Sequence, residues 1–259
     1  MTTRTWKIFT LVVAILLILG IFVCAFNGNP LTKIFVTIQA KRYIAQAYGD
    51  TDFEVEKVEL HDKAPHLYLA YIVSPGSVDS HFVVSIDRWG KIESDDYPYR
   101  VLSGANTANR MSREYGDRVE DVVTSPTFPY RVTRVTATIR FVPKEMKGTS
   151  GVPKYALIAN DLTLDASFDA DFGAKAGELN IDIQDDTISV ERLAEILLDL
   201  KQILDNEGVP FYVITCNLAD PDPAAWWEDG GRLQLIHFLS SDIYENGMVE
   251  RVREASEFS

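Results

Sequence analysis

Carboxylates are the side chains of this sequence best placed to do chemistry. Asp161, Asp165, Asp169, Asp171 and Glu178 lie close together in the chain. Hard divalent cations take several oxygen ligands from one bend of backbone, and Asp169, Asp171 and Gly173 repeat the opening spacing of a calcium loop. The later positions do not follow. Ala174 stands where such a loop needs its sharp-turn glycine, and Asn180 where it needs the closing glutamate. The acids alternate with Leu164, Ala166, Phe168 and Ala170, so the segment reads as the solvent face of a strand. No metal and no cofactor is expected.

The histidines carry less. His61, His66, His81 and His237 show no metal-ligand spacing. His61 and His66 face each other across a predicted hairpin turn with Asp62 beside them, and read as solvated turn residues. His237 falls inside the apolar 233–239 segment, as a satisfied core or face residue. A serine or cysteine nucleophile needs a convergent base, and neither a Gly-x-Ser-x-Gly turn nor a cysteine-protease signature occurs. Cys216, in the apolar run Tyr212-Val213-Ile214-Thr215, reads as a buried, inert thiol. Catalytic residues are therefore not expected. The first surface candidate is the pair Trp226 and Trp227, in Asp220-Pro221-Asp222-Pro223-Ala224-Ala225-Trp226-Trp227. Adjacent indoles could stack on a sugar ring or a partner's surface. Neighbours on a helix point about 100° apart, so one is expected in the core and the other half-exposed.

The elements that would position these residues follow from periodicity. Asn29-Pro30 opens an amphipathic stretch with Leu31, Ile34, Phe35, Ile38, Tyr43, Ala45 and Tyr48 at helical spacing, stopped by Gly49-Asp50. Residues 53–60, 67–73 and 82–86 alternate like strands, and Asp87-Arg88-Trp89-Gly90-Lys91 reads as a tight turn into a fourth. A helix is predicted over 107–119. Prolines 126 and 129 make residues 125–129 the best domain boundary. Beyond it come a long strand over 130–142, candidates at 155–164 and 179–183, and a helix from Ser189 to Gly208 with Leu193, Ile196, Leu197, Leu200, Ile203 and Leu204 on one stripe. Strands at 211–216 and 232–239 and a closing helix over 248–255 complete the chain.

Ahead of these elements, residues 8–26 form an uninterrupted apolar run. At about 1.5 Å per residue it would span roughly 28 Å, close to a hydrocarbon core of about 30 Å. It is expected to be a single-pass anchor, with residues 1–7 as a cytoplasmic tail and the rest outside the cytoplasm at the cell membrane. Arg4 and Lys7 favour that orientation, while Lys33, Lys41 and Arg42 on the other flank weaken it. Cleavage after Ala25 is the competing reading.

Formal net charge is −13, with 38 acidic and 25 basic residues. Such a surface is unsuited to nucleic acid and would be repelled by anionic lipid or anionic wall polymers, and a basic partner or divalent cations fit it better. Cys216 is the only cysteine after residue 26. The segment beyond therefore contains no intramolecular disulfide and must rest on hydrophobic cores, two of which its length can supply.

Asn29-Pro30-Leu31 leading into Lys41-Arg42-Tyr43-Ile44, then Tyr48-Gly49 before the first strand, resemble the YfjL-like family of membrane-anchored proteins from Gram-positive bacteria. Over residues 30–120 the pattern also looks like small sheet-and-helix domains of the PepSY type. The family resemblance implies an uncharacterised exported protein and brings no catalytic residues with it. The expected fold class is thus α+β. An N-terminal transmembrane helix would precede two small domains, 29–124 and 130–259, each a mainly antiparallel sheet packed by helices. The expected function is a membrane-tethered extracytoplasmic binding or regulatory module without catalysis, engaging another envelope protein or a small ligand. The alternative is a tethered hydrolase whose site assembles only in three dimensions.

Overall fold

The computed structural model describes residues 6, 11–15, 29–49, 51–222 and 231–256. Their contacts divide the chain into two units, residues 1–106 and 107–259. The proline-bearing segment 125–129 lies within the second unit, after its first helix.

The first helix of unit one described over its full length is α1 (Pro30–Ala47). Asn29 caps it, accepting from Leu31 N at 2.9 Å, and Pro30 fills the first helical position where no N–H is needed. A four-stranded meander follows, β1 (Glu54–Leu60), β2 (Leu67–Ser74), β3 (Ser77–Asp87) and β4 (Ile92–Asp95), antiparallel throughout and in sequence order. The period-2 alternation puts Tyr68, Ala70, Ile72, Phe82, Val84 and Ile86 on one face, where they bury Val36, Ala40 and Ile44 of α1. At the helix C-terminus, Tyr43 and Tyr48 both donate to Asp95 Oδ2, the former at 2.7 Å. Tyr48 also packs edge-on against Phe53 and Phe82, with ring centroids 5.6 and 5.4 Å apart. Burial and the neighbouring carboxylate push both phenols above their ordinary pKa. Asp95→Ala leaves two half-buried hydroxyls without their acceptor. Denaturant unfolding of unit one should register a loss of about 1–3 kcal/mol, against little change for the exposed Glu93→Ala.

Unit two opens with α2 (Ala105–Val123), whose first two residues still belong to unit one. A mixed sheet is ordered β10-β9-β8-β5, from β5 (Arg131–Ile139), β8 (Gly177–Gln184), β9 (Val213–Ala219) and β10 (Arg232–Leu239). The outer pairings β5/β8 and β9/β10 are antiparallel. The β8/β9 pair is parallel, joined across α4 (Val190–Asn206), as parallel strands need a crossover. Two short strands, β6 (Phe141–Val142) and β7 (Leu157–Ile158), pair separately, α3 (Ala170–Ala176) precedes β8, and α5 (Met248–Ser256) closes the chain. Leu193, Ile196, Leu197, Leu200 and Leu204 of α4 bury against Leu179, Ile181, Ile183, Ile214, Cys216 and Leu218. The opposite sheet face is polar, with Arg134 Nε 2.8 Å from Asp182 Oδ2 and Asn217 donating to Asp182 at 2.6 Å.

Ser189 caps α4 through Arg192 N at 3.1 Å, and the Arg192 guanidinium reaches back to Asp185 Oδ2 at 2.8 and 3.0 Å. That guanidinium, with the Thr187 N–H, holds the Asp185 carboxyl below the usual carboxylate range. A depressed folded pKa contributes stability above the unfolded value near 3.9 and loses it as pH falls through the folded value. Asp185→Asn should therefore cost about 1.5–3 kcal/mol at pH 7. The gap to wild type should narrow as pH falls below the unfolded value near 3.9, as chemical unfolding across pH will register.

Two expectations are corrected. The expected fold class placed a transmembrane helix over residues 8–26. Of that run, 11–15 are described and helical, and the rest lies outside the described residues. Among the described residues no helix is long and apolar enough to cross a membrane. The helix nearest the run, α1, carries Lys33, Lys41 and Arg42 within its 18 residues, too much charge for hydrocarbon. The fold is two α+β units. The acid-rich strand face also gives way. Strand pairing over the predicted 155–164 is confined to Leu157–Ile158, and the chain then turns through Ala159–Asp161 into α3, started by Asp169 as its cap.

Candidate functional site

The face of α1 that its sequence marks most strongly is not the one that packs. Leu31, Ile34, Phe35 and Ile38 are 75, 60, 39 and 45% exposed, whereas Val36, Ala40 and Ile44 face the sheet. The helix is thus apolar on two sides, and the sheet covers one. Leu31, Phe35, Ile38 and Arg42 follow the i, i+4, i+7, i+11 spacing of a single line along the surface. Lys41 lies one turn beyond Ile34 and Ile38.

Trp89 stands beside this line, 81% exposed. It sits on the β3–β4 turn, fixed by Asp87. The Oδ1 atom of Asp87 accepts from Trp89 N and Lys91 N, both at 2.8 Å, and the Asp87 carbonyl accepts from Gly90 N at 3.0 Å. Those N–H groups, Lys91 first, lower the Asp87 carboxyl pKa. Gly90 is at φ +89°, and a Cβ there would come within 2.8 Å of Gln39 and 3.0 Å of Phe35. Only glycine lets the turn close this tightly on α1. The result is a rigid ledge carrying an indole next to an exposed aliphatic line.

Charge is distributed unevenly between the units. Ten basic and eleven acidic residues leave residues 1–106 at −1, while fifteen and twenty-seven leave 107–259 at −12. The first acid of the chain is Asp50, and α1 holds three cations and no acid. The chain average conceals this. Among the described residues no ion-pair partner is found for Lys41, Arg42 or Arg88, and Lys33 lies near Glu59.

The residues singled out from the sequence do not converge. Asp169 caps α3 through Asp171 N at 2.9 Å, Asp171 pairs with Lys175 at 3.2 Å, and Glu178 accepts from Tyr155 Oη at 2.9 Å. Asp161 lies in a short turn, and Asp165 takes a left-handed conformation at φ 57°. Among the described residues no group of three or more His, Cys, Asp or Glu is placed to hold a metal ion. His61 Nδ1 accepts from Lys63 N at 3.1 Å on the β1–β2 turn, and no hydrogen bond among the described residues joins it to the exposed His66. His237 is exposed, at φ 53°, on a bulge that shifts the β9/β10 register. Cys216 is fully buried, which pushes its thiol up to about 12. A thiol so protonated is a poor nucleophile at neutral pH. Trp226 and Trp227 lie outside the described residues. The signal that sequence reasoning passed over was Trp89, visible as an indole within a turn but absorbed into the hairpin.

Two family models match the chain: the N-terminal domain of the YfjL-like family over residues 4–96 and the YfjL-like C-terminal domain over residues 114–253. No curated protein matches. A solved structure, the crystal structure of a DUF5037 family protein from Ruminococcus gnavus, is similar at 14% identity and TM-score 0.22, over 84% of this chain and 86% of that one. A score that low carries no inference about fold.

Proposed function

This chain belongs to the YfjL-like family, and we propose that it works as a binding module without catalytic activity, engaging its partner through the exposed face of α1 and the Trp89 turn. The observation behind this reading is the line Leu31–Phe35–Ile38, left in water beside a turn whose one aromatic side chain, Trp89, is 81% exposed. Isolated exposed apolar residues are ordinary, but a contiguous group with an aromatic anchor and cations at its rim is the composition of an interaction surface. The backbone beneath it is fixed by the Asn29 cap, the Asp87 turn and the Tyr48–Asp95 latch, so the face is organised before any partner arrives.

The test is site-specific photo-cross-linking in cells that make the full chain. A photoreactive residue at Ile34 or Trp89 should give one defined adduct, and the same residue at Thr136, on the polar face of the second sheet, should give none. Equal yields from all three positions would remove the proposal.

A further inference from the structure

We infer that the partner of this face is an anionic phospholipid surface, into whose headgroup region Leu31, Ile34, Ile38 and Trp89 insert while Lys41, Arg42 and Arg88 meet the phosphates. The inference rests on the binding-module reading and names its partner. Three observations carry it. The first is shape and composition: the apolar groups form a raised line along a helix, with cations and an indole at its margins, as on helices that lie in a membrane interface. Of the grooves of about 440 and 270 Å³ described in this unit, the first meets the face only at Lys41, being otherwise lined by residues such as Ile44 and Phe53, and the second is lined by Tyr71, His81 and Arg100; neither includes Leu31, Ile34, Ile38 or Trp89. The proposed face is therefore not a pocket for a protruding side chain.

The second observation is charge complementarity. In a chain with 38 acids, α1 has none. Three acids of this unit are engaged within it: Asp87 binds the backbone N–H groups of its own turn, Glu93 pairs with Lys91 at 2.8 Å, and Glu59 pairs with Lys57 at 3.1 Å, while Glu54 lines a groove with Lys41. With a screening length of about 8 Å at physiological salt, a membrane in contact with α1 is governed mainly by the charges of that face itself. The third is continuity in sequence. The face begins at Leu31, five residues after the apolar run 8–26 ends, so the first surface to follow nineteen apolar residues is itself apolar.

The test uses the full chain and vesicles of phosphatidylcholine with or without phosphatidylglycerol, their acyl chains brominated to quench tryptophan. Emission lost in the Trp89→Phe variant is the Trp89 signal, so attachment through any other segment does not imitate it. On anionic vesicles that signal should fall at least about twofold, as an indole at the acyl boundary requires. Lys41→Gln with Arg42→Gln should raise the lipid concentration needed by roughly fivefold per cation. Equal quenching on neutral vesicles, or none on anionic ones, overturns the inference. If quenching is absent while Ile34 still cross-links to a protein, the partner is that protein and the binding-module reading survives. If both are absent, both fail. Trp89 and the two cations are exposed, so these variants should fold as the wild type does.

Discussion

Leu31→Asp combined with Ile38→Asp should abolish the adduct formed from Ile34, lowering its yield roughly 100-fold, and leave unfolding within about 1 kcal/mol of wild type. Each of these side chains gains about 1.5–3 kcal/mol when it moves from water into an apolar partner, and an aspartate placed there must instead be desolvated. Two such changes remove 3 kcal/mol or more of association free energy, which is over two decades in affinity at about 1.4 kcal/mol per decade. Neither residue touches the core, because the sheet holds α1 by Val36, Ala40 and Ile44. Position 31 is in the first helical turn, where an acid is tolerated or favoured by the helix dipole. A matched pair on the packed face, Val36→Asp with Ala40→Asp, should unfold the unit outright. The contrast between the pairs separates loss of a docking surface from loss of a fold.

The second large effect is structural. Gly173→Ala should destabilise unit two by about 3 kcal/mol or more, lowering the denaturant midpoint of that unit alone. A Cβ at Gly173 would run into the Pro210 carbonyl oxygen and come within 2.9 Å of the Tyr115 ring. Tyr115 is completely buried and donates its hydroxyl to the same carbonyl at 3.0 Å. Gly177 is packed as closely, with a Cβ position 2.7 Å from Tyr115 Oη. The junction joins α2, α3, the turn after α4 and the start of β8, so strain cannot be released at one side chain. Overpacking costs typically 1–3 kcal/mol where rotamers can adjust, and backbone oxygen adjusts least. Tyr115→Phe, which removes only the hydroxyl, should cost about 1 kcal/mol. If both variants unfold like wild type, this junction does not hold the unit together.

Much of this architecture is legible from periodicity and caps. The predicted helix after Ser189 is α4, with that serine as its cap and Gly208 beyond its end. The strands predicted over residues 67–73, 179–183 and 232–239 fall within β2, β8 and β10. The acid-rich segment misleads because Asp-Ala-Asp alternation fits a strand face and a helix cap equally well. Tertiary packing of Phe172, whose ring lies 5.8 Å from Phe141, sets the choice. A run of apolar residues with basic flanks predicts a membrane span, and the described helices do not include one that fits. Most instructive is α1. Its two apolar stripes are both present in the sequence, and only the position of the sheet decides that Val36, Ala40 and Ile44 go in. The docking face was therefore visible as residues but not as a surface. Its charge was hidden as well, because the −13 of the whole chain averages an acid-free helix with a strongly acidic second unit.

Hydroxyl-radical footprinting of the chain in living cells against the purified protein bears most directly on the central claim. It reads the solvent exposure of each side chain without presupposing the partner. Leu31, Ile34, Phe35, Ile38 and Trp89 should oxidise several-fold more slowly in cells, while Val78, Tyr99 and Leu102, which are 69, 68 and 63% exposed in the same unit, should keep their rates. Unchanged rates across the α1 face, with protection elsewhere or nowhere, would contradict a docking role for that face.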